Sequence, residues 1–143
     1  MKFFGHPVHV MLIHFPTALL PMDFVLSCLS YFKNEATYQA AAFYALIGGV
    51  ATGYVAMATG LIDLLSVARE NKMALGTGLI HGFINGLIIL IYTVFAFRAW
   101  QSYPHLNKPD VVVLLVKGFL VLTLLVGNYL GGRLIYKHRI GVK

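Results

Sequence analysis

Residues 110–135, DVVVLLVKGFLVLTLLVGNYLGGRLI, run for 26 positions on Val, Leu, Gly and other largely uncharged residues, interrupted only by Lys117 and Arg133 after the opening Asp110. At a rise of about 1.5 Å per residue, roughly 20 apolar residues cross the hydrocarbon of a bilayer, so this stretch reads as a spanning helix. Working outward, residues 75–97, 38–65 and 8–32 meet the same condition. The breaks between them are polar: Lys33, Asn34 and Glu35; then Arg69, Glu70, Asn71 and Lys72; then Gln101 to Asp110, with Pro104 and Pro109. The fold class that follows is all-α, an integral membrane four-helix bundle filling residues 1–143 as one transmembrane domain.

Composition agrees. The 143 residues are 59% hydrophobic and only 11% charged, against about 25% charged in a soluble domain. Mean hydropathy is +0.78. Disordered, collagenous and disulfide-rich classes are excluded, the last because Cys28 is the single cysteine. The net charge of +6 would suggest nucleic acid in a soluble chain. In a membrane chain it reads as positive-inside bias, and no nucleic-acid partner is expected. The first apolar run carries no small-residue cleavage site and continues past twenty residues, so it is expected to stay as a helix.

Four spans put both termini on one side. Lys2, Arg69, Lys72, Arg133, Lys137, Arg139 and Lys143 fall there, against Lys33, Arg98 and Lys108 opposite. Both termini are therefore expected in the cytoplasm, with the chain in the inner membrane. Tyr31, Phe32, Trp100 and Tyr103 suit an aromatic belt at the far surface, and Lys117 is expected to snorkel toward it.

Small residues repeat at helical spacing: Gly49, Gly53, Ala56 and Gly60; Gly78, Gly82 and Gly86; Gly127 and Gly131. In lipid such stripes let helices approach closely. They would equally admit the face of a macrocycle. Pro16 and Pro21 remove backbone donors from the first helix, which predicts a kink near His14.

Five of the six histidines map to one end of the bundle: His6, His9, His14, His81 and His138, with His105 in the opposite loop. Counted from residues 8 and 75, His14 and His81 each lie six residues in, roughly 9 Å deep. Two imidazoles at one depth on different helices suit the axial positions of a b-type haem. His138 with His9 or His6 would form a second pair nearer the surface. Basic residues at this end suit haem propionates. The alternative is a non-haem metal ion held by His14, His81 and Asp63, with His6 and His9 nearby, since imidazole and carboxylate suit Zn, Fe or Mn. A third possibility is a bundle without cofactor. Asn85 and Asn128 read as hydrogen-bond partners across helices or as groups that orient the histidines. Asp23, deeper in the first helix, is either neutral or paired with Lys117.

The opening GHPVHVMLIHFPTALLPMDFV and the closing GGRLIYKHRIGV resemble a bacterial family of small four-helix membrane proteins classed as a domain of unknown function. Members begin near H-P-x-H-P-x-x-V-H-F-P, carry G-x-x-D at the end of helix two and a histidine opening helix three, and end near Y-x-H-G-x-G-V. His6, Pro7, His9, His14, Phe15, Pro16, Gly60, Asp63, His81, Tyr136, His138, Gly141 and Val142 match. Val10 stands where a second proline is usual and Arg139 where a glycine is usual. The resemblance implies the four-helix fold. It also implies company with cytochrome and iron–sulfur modules, hence other electron-transfer or membrane-complex subunits as partners. The expectation is a membrane electron-transfer subunit binding one or two haems b, without catalysis of its own. The competing expectation is a structural subunit of a larger complex.

Overall fold

The computed structural model describes residues 2–3, 6–67 and 72–137. Two short strands, β1 (Lys2–Phe3) and β2 (His6–Pro7), pair antiparallel ahead of the helices. The helices are α1 (Val8–Leu12), α2 (His14–Lys33), α3 (Ala36–Val67), α4 (Lys72–Ser102) and α5 (Val111–Tyr136). Four spans are long and apolar enough to cross a membrane: Val8–Lys33, which joins α1 to α2, Ala36–Leu65, Ala74–Ser102 and Val111–Tyr136. Apart from that short two-stranded ladder the described chain is helical, and it is a multi-pass membrane protein.

The first span breaks at Ile13. Pro16 has no N–H to offer the Leu12 carbonyl, so one helical bond is missing there. The ladder resumes on both sides, with the Ile13 amide donating to His9 at 3.1 Å and the Thr17 amide to Ile13 at 3.2 Å. At the other end, Asn34 closes α2 in the left-handed region, φ 56°, and its amide donates to the Ser30 carbonyl. Asp110 caps α5, its carboxylate accepting from the Val113 amide at 2.8 Å.

Successive helices are neighbours, and α5 returns to pack on α2, closing the bundle. The inner layer is Leu20, Leu46, Val50, Ile88, Ile89, Tyr92, Ala96, Leu120 and Leu124. Outward faces are as apolar as the core. Phe15, Leu61, Phe83, Phe97, Phe119 and Leu122 are all exposed, a pattern stable only where lipid replaces water. On α3, a Cβ at Gly49 would collide with Leu20 of α2, and one at Gly53 with Ile89 of α4. The small-residue stripe is where the neighbours cross closely.

At the loop end Phe43 stacks on Tyr103 with centroids 5.1 Å apart, and the Lys108 ammonium sits over Tyr31. Lys117 does not snorkel. It is 6% exposed and donates to Asp23 Oδ1 at 2.8 Å and Ser27 Oγ at 3.0 Å. An internal carboxylate holds it more strongly than a distant headgroup region would.

Candidate functional site

His9, in the short helix α1, donates from Nδ1 to the Ala56 carbonyl of α3 at 2.8 Å. His81, on α4, donates from Nδ1 to the Gly127 carbonyl of α5 at 2.8 Å. Carbonyl oxygens only accept, so each ring carries its proton on Nδ1. A neutral imidazole in that tautomer keeps a bare lone pair on Nε2. The two rings stand edge to face, centroids 6.4 Å apart and planes at 81°. These contacts also bring the start of α1, the His81 turn of α4 and the last third of α5 to one end of the bundle.

Glycine makes room for each ring. A Cβ at Gly60 would stand 2.8 Å from His9 Cε1, and one at Gly131 would stand 2.9 Å from His81 Cε1. The glycine stripes therefore seat imidazoles as well as helices. Asn85, one turn after His81, donates from Nδ2 to the His81 carbonyl at 2.8 Å and lies against Gly127. Its 3.2 Å approach to His81 Nδ1 meets a nitrogen already engaged as a donor, so it packs against the ring without bonding it.

Asp63, half-buried on α3, lies within electrostatic reach of His9. His14 is exposed at the start of α2, and its backbone carbonyl accepts from the Thr17 hydroxyl. The ring brought to His81 is that of His9, not His14. Five residues around a helix turn a side chain by about 140°, so the two histidines cannot share a face. Equal depth alone does not choose between them. His105 is exposed in the α4–α5 loop. The side chain of His6 and the whole of His138 lie outside the described residues, as do Arg69, Arg139 and Lys143. Among the described residues, no group of three or more His, Cys, Asp or Glu is gathered for a metal ion. Arg133, in the last turn of α5, and Lys137 just beyond it are exposed at the histidine end.

A second polar group lies toward the opposite end and was only partly legible in sequence. Asp23, Ser27 and Lys117 form its buried centre. Asp23 Oδ2, Gln39 Nε2 and the Tyr92 hydroxyl are buried there without a hydrogen-bond partner. Gln39 and Tyr92 carried no signal, because a glutamine near a helix start and a tyrosine in an apolar run are commonplace.

No curated protein and no solved structure matches the chain. Residues 5–143 match a family described as "Predicted membrane protein (DUF2231)", a domain of unknown function. That match takes in both transmembrane histidines of the site, the glycines that seat them and all four spans, and the chain therefore belongs to this family of predicted membrane proteins.

Proposed function

We propose that the protein is an electron-transfer subunit of the bacterial inner membrane, holding a b-type haem between His9 and His81 at a cytoplasmic end. The carrying observation is the pair of imidazoles 6.4 Å apart, each anchored through Nδ1. Imidazoles bound through Nε2 on opposite sides of one metal, at about 2.0 Å each, have centroids roughly 6 Å apart. Metal-ligating histidines usually donate their other N–H to a carbonyl or carboxylate, which fixes tautomer and ring orientation. Both rings here already do so. A porphyrin supplies four donors of its own, so haem asks only two of the protein, and two are brought together. Bound haem would supply a one-electron couple. His9 and His81 would hold it, while Arg133 and Lys137 would offer cations for its carboxylates. The cytoplasmic assignment rests on the basic bias toward this end.

A second reading is favoured by one observation, the reach of Asp63 to His9. There a non-haem ion would take His9 and His81 as ligands and draw in Asp63, which does not stand gathered with the two rings before binding. Protein purified from haem-supplied membranes separates the readings. Low-spin haem b bands lost in His9→Ala and His81→Ala, and retained in His14→Ala and His105→Ala, support the first. A colourless protein whose metal content falls in Asp63→Asn supports the second. A colourless, metal-free protein overturns both and leaves a structural subunit.

A further inference from the structure

Between α2, α3, α4 and α5, at the loop end, lies a cavity of about 400 Å³. Asp23, Ser27 and Lys117 line its depth, Gln39 its wall, and Arg98, Asn107, Lys108 and Asp110 also line it, toward the α4–α5 loop. The ion pair at the bottom is incompletely satisfied. Lys117 uses Asp23 Oδ1 and Ser27 Oγ, while Asp23 Oδ2, though fully buried, meets no protein donor. Gln39 Nε2, on the facing helix, has no acceptor. A charged oxygen left without a donor in an apolar interior is costly, so both groups call for a ligand that donates to one and accepts from the other. Water does both once the two side chains turn toward the cavity they line, whose volume holds on the order of ten molecules.

The cavity ends where the polar residues end. One helical turn nearer the histidines, Leu20, Val50, Ile88, Tyr92 and Leu120 form a closed apolar layer, each at most 8% exposed. Tyr92 brings a hydroxyl into this layer, within electrostatic reach of Asp23 and itself unpartnered. Between Lys117 and the Gly127 carbonyl that holds His81, α5 rises about 15 Å. We propose that this cavity is a water-filled well that opens only at the loop end, and that the Asp23–Lys117 pair exchanges protons with that side of the membrane alone. The charged and titratable groups around Asp23 are Lys117 and Asp110 on α5 and its cap, Arg98 and Tyr92 on α4, Lys108 in the loop and Cys28 on α2; α3 offers the neutral Gln39. This inference does not depend on what the histidines bind.

The pair supplies its own test. A carbodiimide adds to the Asp23 carboxyl together with the one proton the pair shares, forming an O-acylisourea, and the Lys117 amine thereby left neutral, 2.8 Å from that carboxyl, displaces the urea and closes an amide. The wild-type protein is reconstituted in one orientation in vesicles. A quaternary-ammonium carbodiimide, which does not cross bilayers, is applied to one face at a time, and the Asp23–Lys117 cross-link between α2 and α5 is read by mass spectrometry. The expected yield is at least about tenfold higher from the loop face, the contrast between an aqueous approach and an apolar seal. It should fall as the pH of that face rises, and stay constant when only the opposite pH changes. Lys117→Arg, which keeps the cation but offers no primary amine, should give an acylurea on Asp23 with no cross-link. Equal yield from both faces, yield from the histidine face, or cross-linking only by a lipid-soluble carbodiimide overturns the proposal. So does failure of both reagents, which would mean a dry, closed pair.

Discussion

Replacing Lys117 with Met, Asp23 with Leu, and both together forms a cycle whose outcome follows from the buried pair. At an effective dielectric of about 20, unit charges 2.8 Å apart attract by about 6 kcal/mol. Desolvation of both ions offsets much of this in the intact protein. Removing one partner forfeits the attraction and strands the other charge, a loss that typically costs about 3–5 kcal/mol. The adjoining cavity lets water reach the stranded group, which puts each single substitution near the lower bound, about 3 kcal/mol or roughly a hundredfold in the unfolding equilibrium. The double substitution removes both ions together and fills their space with apolar atoms. Ser27, which loses both side-chain partners, can turn its hydroxyl to a carbonyl of its own helix. The double variant is therefore expected within about 1 kcal/mol of wild type. Equilibrium unfolding in mixed micelles, titrated with SDS and followed by the Trp100 fluorescence and far-UV circular dichroism, measures all four proteins. A double variant that loses the sum of the two single losses would refute the reasoning, because it would mean that the two charges do not hold each other.

Two further outcomes follow. Gly60→Ala and Gly131→Ala each drive a methyl into an imidazole, at 2.8 and 2.9 Å from Cε1, and are expected to cost about 1–3 kcal/mol by overpacking. Each should also release its histidine from the carbonyl, seen as a changed imidazole nitrogen shift in NMR, whereas Gly82→Ala, where a Cβ meets nothing within 4 Å, should leave both rings in place. A reporter fused after Lys143 is expected to show cytoplasmic activity, since seven basic residues are assigned to the terminal side against three opposite; activity outside the cytoplasm would reverse the bundle and turn the cavity mouth inward.

Apolar length and polar breaks were enough to read four spans from the sequence, because a bilayer demands a minimum run of uncharged residues whatever the helices touch. The interruption at Ile13 was legible for a similarly local reason: Pro16 lacks an N–H in any context. That His9, His14 and His81 fall toward one end also followed from counting along alternating spans. Which of them meet did not, because pairing depends on the rotation of each helix about its axis. That rotation is set by contacts with other helices: Gly60 against His9, Gly131 against His81, and the carbonyls of Ala56 and Gly127. His14 and His9 look alike in sequence, and tertiary packing turns one outward and the other to His81. The same holds for Lys117. Seven residues into a helix, it has a surface within reach in principle, and only the crossing of α5 on α2 puts Asp23 closer. Local chemistry determined where this chain lies in the membrane, and long-range packing decided which of its polar groups share a site.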